Sequence, residues 1–343
     1  MVHKEFLWEN IMPCLVIAEI GVNHNGDVNL AKKMIDAAIK SGADVVKFQT
    51  YIADEVMTDQ TPLADYMGDA AENFLELAKR LELSIEETIE LKSYTEAQGA
   101  EFMSSPFDVP STHALHEMGL KRLKIPSGET ANPFVLKAAA ETGLPLIIST
   151  GMCTLDEVRR AVDFLDEHKS GQVSILHCTT QYPAEVKNVN LKAMQTMADE
   201  FSLPVGYSDH TQGIEVSLAA VALGAEIIEK HFTTDRSLPG PDQEASMLPV
   251  ELKALVEGIR KIESCLGHGD KIPYPIELEV AGVARKSLVT TRDLEEGHVI
   301  LEQDLTAKRP GTGIPAFDFT KVLGKSTVRS LAANYILVEE DFE

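Results

Sequence analysis

The sequence predicts a closed eight-stranded TIM barrel of the α/β class, followed by a small, mostly β domain. Three observations carry that prediction. Eight apolar, strand-like runs alternate with amphipathic helical runs across about 250 residues, the usual size of such a barrel. The texture changes after a helical run that ends near residue 266. A histidine stands at or just past the end of each of the last two strand-like runs, His210 and His231, spaced by one strand-to-strand step of a β/α repeat. Successive parallel strands of a closed barrel place two such imidazoles at the same rim, where they can ligate a divalent metal.

The eight runs, in order, are CLVIAEI at 14–20, DVVKFQ at 44–49, EFMSS at 101–105, RLKIP at 122–126, PLIIST at 145–150, VSILHC at 173–178, LPVGYS at 203–208 and EIIEKH at 226–231. Between them lie segments such as NLAKKMIDAAIKSG and TLDEVRRAVDFLDEHKSG, which pair helical periodicity with a glycine after the last turn. GIEVSLAAVALG is apolar throughout and reads as a well-buried outer helix. The first turn, GVNHNGD, lacks the GxGxxG dinucleotide fingerprint, and no Walker lysine motif occurs anywhere. An insertion at 51–88 reads as a loop and a helix long enough to cap the barrel.

These signals divide the chain into a barrel at 1–266, a linker at 267–284 and a β domain at 285–343. The linker reading rests on the two prolines and two glycines of HGDKIPYPIELEVAGV. A β domain of about 60 residues has a small core and is expected to pack on another surface.

Acids outnumber bases 54 to 31, a formal charge of −23, which argues against a general nucleic-acid surface. A few lysines focused in a cleft can still bind a small anion. No run of 18 apolar residues occurs, so no membrane helix is expected. The opening MVHKEFLWEN does not read as a signal peptide. Four cysteines without a CxxC pair point to a reducing compartment, hence the cytoplasm. Cys178 ends a strand and reads either as a packed thiol or as part of the site.

Active sites of this barrel lie at the C-terminal strand ends. Those ends supply Glu19, then Lys47 and Gln49, then Ser104, then Lys124, Ser127 and Glu129. The later ends supply Ser149, Thr180, Tyr182, Ser208, His210 and His231. A lysine inside a strand ordinarily snorkels or pairs with an acid. Two of them, Lys47 and Lys124, with serines nearby suit a phosphate-bearing acid. His24 and His177 compete as ligands, and His177, just short of its strand end, is expected to point into packing.

The segments IAEIGVNHNGD, GADVVKFQT, KIPSGE, HCTTQYPA, VGYSDHTQGIEVSLAAVALGAEIIEKHFT and LPGPD together resemble the sialic acid synthase family. AKRPGTGI is similar to that family's small antifreeze-like (SAF) domain, so the resemblance spans about 11–343. It implies condensation of phosphoenolpyruvate with an N-acylated aldehyde sugar, giving a nine-carbon 2-keto-3-deoxy acid and phosphate. It implies a divalent metal, Mn2+ or Mg2+ with Mn2+ favoured, held by His210 and His231. It also implies a homodimer in which the SAF domain of one chain caps the partner's barrel.

Residue by residue, the resemblance places Glu19 near the reacting carbons. Lys47, Gln49, Lys124 and Ser127 match phosphoenolpyruvate contacts, and Ser104, Ser149 and Ser208 fall at further contact positions. Tyr182 and Asp242 match sugar-side positions, joined by Thr180 where some sialic acid synthases carry Asn. Arg309 matches an arginine delivered by the partner chain. Gln243 stands where close relatives often show His, a departure expected to bear on the sugar. Glu19 and Glu129 both remain as proton carriers.

The texture of HCTTQYPA and LPGPD resembles the bacterial branch that includes legionaminic acid synthases, which favours N,N'-diacetyllegionaminate as the product. N-acetylneuraminate made from N-acetylmannosamine is the alternative. Another metal-dependent aldolase, or a carbohydrate-binding role of the C-terminal domain, is more distant.

Overall fold

A computed structural model of the chain describes residues 13–58, 60–61 and 74–343. The N-terminal decapeptide and the middle of the 51–88 insertion lie outside the described residues. The chain divides into two compact units, Met1–Gly267 and His268–Glu343.

The first unit is built on eight parallel strands: β1 Leu15–Gly21, β2 Val45–Thr50, β3 Glu101–Pro106, β4 Leu123–Ile125, β5 Leu146–Ser149, β6 Val173–Cys178, β7 Val205–Asp209 and β8 Ile227–His231. Each falls within a residue or two of its predicted run. The order β3-β2-β1-β8-β7-β6-β5-β4 brings β8 beside β1, and β3 adjoins β4 without a shared ladder, so the sheet is a nearly closed barrel.

Helices separate the strands: α1 Val28–Lys40, α2 Ala53–Val56, α3 Phe74–Leu81, α4 Ile85–Ala97, α5 Val109–Glu117, α6 Pro133–Glu141, α7 Leu155–Glu167, α8 Lys192–Phe201, α9 Glu215–Ala222 and α10 Pro249–Leu266. Their starts follow local chemistry. Asp27 accepts from the amides of Asn29 and Leu30 to open α1, and Thr154 with Glu157 forms a reciprocal capping box at α7. Such caps are each worth about 1 kcal/mol.

Strand alternation sorts the core into two layers. Outward residues such as Val16, Phe48, Phe102, Ile175 and Tyr207 pack against the helices. Inward, Ile17, Val45, Met103, Ile147, Leu176 and Ile227 form a separate apolar plug. Two residues further along the same strands the inward positions turn polar: Glu19, Lys47, Ser105, Ser149, Cys178 and Glu229. The plug is therefore the floor of a cavity and that polar ring is its wall. On β7 the inward position beside the plug is Gly206, where a Cβ would stand 2.3 Å from the Ile227 carbonyl oxygen, so no larger residue fits.

The second unit carries an antiparallel pair, β9 Ser287–Thr290 and β10 Leu305–Lys308, over a core that includes Leu288, Ile300, Ile314, Leu331 and Leu337. Arg292 and His298 hold the buried Asp304 carboxylate, each at 2.8 Å. The expected linker at 267–284 is corrected in its second half. Pro275–Ala284 forms a helix, α11, belonging to this unit. Pro275 sits at the first turn, where its missing N–H costs nothing, so a proline read as a loop signal is instead a helix start. The Gly311 amide donates to the Gly282 carbonyl and ties α11 to the segment after β10.

Candidate active site

A cavity of about 250 Å3 opens at the C-terminal ends of the barrel strands. Its polar wall is a buried charge network. Lys47 on β2 and Glu19 on β1 are register partners, and Lys47 Nζ lies 2.7 Å from Glu19 Oε2. Lys47 Nζ also donates to Ser105 Oγ at 3.0 Å and stands 3.6 Å from Glu229 Oε2. Lys124 Nζ donates to Glu229 Oε1 at 3.2 Å, and Ser208 Oγ donates to the same oxygen at 2.9 Å. Gln49 Nε2 donates to Glu19 Oε1 at 3.1 Å.

Burial sets the pKa values and the pairing modifies them. Burial alone would push Glu229 up, but the Lys124 and Lys47 ammonium groups outweigh it and hold the carboxyl at about 2. Burial pulls Lys47 down, yet Glu19 and Glu229 together carry it above the ordinary lysine value. Lys124 ends below that value because the attraction of Glu229 does not recover what burial removes. Glu19 is raised by burial despite Lys47, and Asp242 is raised to about 6 by burial and then by the charge of Glu19. Two lysines thus face two carboxylates, with a third held near neutrality.

Across the cavity the two histidines meet. The rings of His210 and His231 are 5.3 Å apart, and Tyr182 lies over His210 at 4.1 Å and edge-on to His231 at 5.5 Å. His210 Nδ1 is 2.8 Å from the Thr179 carbonyl oxygen, so its proton resides there and Nε2 is left as a lone pair. Burial, and then the neighbouring His210, lower His231 well below the usual imidazole value. Its Nδ1 is 3.5 Å from Asp242 Oδ2 and has no hydrogen-bond partner among the described residues.

The cavity therefore gathers Glu19, Lys47, Gln49, Lys124, Ser127, Ser149, Thr180, Tyr182, Ser208, His210, His231 and Asp242. The Ser149 hydroxyl is buried without a hydrogen-bond partner among the described residues. At Gly151 a Cβ would lie 2.1 Å from Thr180 Oγ1 and 2.8 Å from Ser127 Oγ, so only glycine lets those hydroxyls approach the loop after β5.

Other expectations are corrected. Ser104 points away from the cavity, where its Oγ meets Thr50 Oγ1 at 2.7 Å, and strand alternation puts Ser105 inside instead. Glu129 is not among the lining residues; its carboxylate accepts from Asn132 Nδ2 at 2.6 Å at the start of α6. Gln243 does not reach the cavity: its amide donates to the Asn23 carbonyl and its Oε1 accepts from Thr233, which fixes the loop carrying Asp242. Arg309 lies in the second unit, with Nε donating to the Ala284 carbonyl at 3.0 Å.

His177 packs on Tyr207 and bonds the Val189 carbonyl oxygen, as its position before the strand end implies. His24 accepts from the Gly26 amide, and burial lowers it to about 4. Cys178 lines the cavity, 3.9 Å from His210 Nδ1.

Two features escaped the sequence reading. Glu229 was legible in principle, since it alternates with Ile227 and His231 on one strand face. The other is an apolar wall. Val22 packs with Leu77, Leu81, Tyr51 and Phe74, and these residues line the cavity beside Asp242. The insertion residues reach the barrel only in three dimensions.

The geometry defines a class first: a β/α barrel with a buried cavity at its C-terminal strand ends that gathers two lysines, three acidic side chains and two histidines. Family and kin then agree with it. The model of the NeuB family matches residues 34–271 and that of the SAF domain matches 285–343. The N,N'-diacetyllegionaminic acid synthase of Legionella pneumophila is 49% identical over 339 residues, covering 97% of this chain and 95% of that protein. The enzyme of the same name from Campylobacter jejuni is 44% identical, covering 95% and 99%. The crystal structure of N-acetylneuraminic acid (sialic acid) synthetase from Leptospira borgpetersenii, in complex with citrate, is 40% identical with a TM-score of 0.70 over 78% of this chain and 90% of that one. The chain belongs to the NeuB family, the phosphoenolpyruvate-condensing nonulosonic acid synthases, with a SAF domain after the barrel.

Family membership implies a divalent metal, and the residues present fit one. The orphaned His231 Nδ1 and the His210 Nε2, which the Nδ1 bond to the Thr179 carbonyl leaves to act as a ligand, are nitrogen donors that line one cavity. Among the described residues no group of three or more His, Cys, Asp or Glu side chains is arranged around a common point. Two imidazoles would leave positions open for water or substrate oxygen, as a catalytic rather than a structural metal site needs. Among the described residues no helix is long and apolar enough to cross a membrane.

Proposed function

We propose that this chain condenses phosphoenolpyruvate with a 2,4-diacetamido-2,4,6-trideoxyhexose, forming N,N'-diacetyllegionaminate and phosphate. The apolar wall carries the choice of sugar. From His231, Asp242 is 3.5 Å away, and Asp242 Oδ2 lies 3.6 Å from the ideal Cβ position of Gly21. Val22, packed against Leu77 and Leu81, comes next. A sugar whose aldehyde lies at the histidines thus has its far end at aliphatic side chains, which suit methyl groups better than hydroxyls. Thr180, shorter than asparagine, leaves more room in the cavity it lines.

Lys47 and Lys124 take the phosphate and carboxylate of phosphoenolpyruvate, with Ser127, Ser149, Ser208 and Gln49 completing their hydrogen bonds. They fix the C3 carbon for attack on the sugar's C1. The new C–C bond leaves a cation at C2, to which water adds through oxygen. The C2–O bond to phosphate then breaks as the C2 hydroxyl loses its proton and becomes the ketone. Glu19 accepts a proton from the attacking water and passes one to the C1 oxygen, and the departing phosphate carries off the proton of the C2 hydroxyl. The lysines neutralise the departing phosphate. The chemistry that a cation supplies when held by His210 and His231 is polarisation of a carbonyl oxygen. Nitrogen donors favour Mn2+ over Mg2+ in that place. Arg309 of a second copy reaches the sugar's acyl oxygen in a homodimer.

Phosphate release from phosphoenolpyruvate, measured with each sugar in turn, tests the reading. The diacetamido sugar is expected to give at least about tenfold higher kcat/KM than N-acetylmannosamine. The reverse order makes the product N-acetylneuraminate, the reading that the 40% identical Leptospira synthetase favours.

A further inference from the structure

We propose that the buried Asp209–Lys230 pair, on the outer face of the barrel, is a positioning device that sets the spacing of His210 and His231. The proposal rests on these two histidines as metal ligands. Asp209 immediately precedes His210 and Lys230 immediately precedes His231, and the two are register partners on adjacent strands. Strand alternation turns the histidines into the cavity and this pair away from it. Both members are 1% exposed.

The connections bracket His210. Lys230 Nζ donates to Asp209 Oδ2 at 3.1 Å and to the Thr211 carbonyl at 2.5 Å, one residue on each side of that histidine. Asp209 Oδ1 accepts from both the amide and the hydroxyl of Thr211 at 2.8 Å. Ser217 on α9 donates to Asp209 Oδ2 at 2.6 Å. One ammonium group from the His231 strand thus holds the chain on both sides of His210, while α9 braces the acceptor from behind.

Stability alone does not account for this arrangement. A buried ion pair commonly contributes no more than packed apolar residues of the same volume, and its better-attested role is to specify a register. Here the register specified is that between two strand ends whose next residues must meet around one ion. Groups that orient metal ligands typically change metal affinity by about 10–100-fold when removed.

The test is Mn2+ titration of the full-length protein, with free Mn2+ followed by electron paramagnetic resonance, alongside calorimetric titration of phosphoenolpyruvate without metal. In Asp209→Asn/Lys230→Met the asparagine still accepts from Thr211 and bonds Ser217, but the tie to the His231 strand is gone. We expect Mn2+ affinity to fall about tenfold or more, with phosphoenolpyruvate affinity within twofold of wild type. Unchanged Mn2+ affinity overturns the proposal. So does an equal loss of both ligands, which marks a general structural prop. If the double variant does not fold, Lys230→Met alone, which removes both contacts of the ammonium group and leaves Asp209 its bonds from Thr211 and Ser217, decides by the same titrations and criteria. His210→Ala run in parallel separates the two levels: Mn2+ binding undiminished in that variant refutes the ligand assignment itself.

Discussion

Glu229→Gln removes the carboxylate that both active-site lysines share. In the wild type its oxygens lie 3.2 Å from Lys124, 3.6 Å from Lys47 and 2.9 Å from the Ser208 hydroxyl, all buried. The glutamine keeps the shape and the bond to Ser208 but leaves two ammonium groups facing Glu19 alone. The gap between about 2 and the ordinary 4.5 for this carboxyl, at about 1.4 kcal/mol per pH unit, is worth about 3 kcal/mol of stability. Breaking one side of a buried pair costs about 3–5 kcal/mol by general experience. Since 1 kcal/mol moves the melting point of a domain this size by roughly 2–4 °C, the barrel transition at pH 7 should fall by about 6–12 °C.

The folded pKa of Glu229 lies below its unfolded value. Its contribution is therefore present above about pH 4.5 and lost as the pH falls toward about 2, so the gap between variant and wild type should close over that range. Phosphoenolpyruvate supplies the missing anion, and at a saturating concentration it should raise the melting point of the variant more than that of the wild type. Differential scanning calorimetry with and without phosphoenolpyruvate reads all three effects. A variant that melts within 2 °C of wild type at pH 7 and gains no more from the ligand would show that Glu229 is not the counter-charge the lysines need.

Three further outcomes follow from the same geometry. His210→Ala should remove most Mn2+ binding and all activity without lowering the barrel melting point by more than a few degrees, and calorimetric titration checks it. Lys124→Ala removes a charge-assisted contact to a desolvated anion and should reduce kcat/KM for phosphoenolpyruvate by about 30-fold or more, equivalent to about 2–4 kcal/mol; a change within twofold contradicts its role. Mixing inactive Arg309→Ala and His210→Ala proteins should restore activity through heterodimers with one intact site. Subunit exchange seen by native mass spectrometry without any recovery rules out action in trans.

The fold was legible because a parallel barrel writes itself as a repeat. All eight strands lie where apolar runs between amphipathic segments put them, and ladder geometry carries the side chains at their C-terminal ends to one rim. The lysines and histidines were legible for the same reason, as polar residues terminating buried strands. Ser104 failed by one residue, because an apolar run locates a strand but does not state which alternate positions face inward; the closed sheet decides that Met103 and Ser105 do. Glu129 failed because the chain leaves the barrel after β4, and Asn132 at the start of α6 engages the carboxylate.

By itself, the sequence determined the repeat, the second unit and the chemical types gathered at the rim, since these depend on local periodicity and composition. Only the tertiary structure decided that Glu229 sits between two lysines, that Leu77 and Leu81 line the same cavity as Asp242, and that Lys230 grips both sides of His210. Each of these joins residues far apart in the chain, and burial, which turns an ordinary charge into a costly one that must be matched, exists only once the barrel has closed.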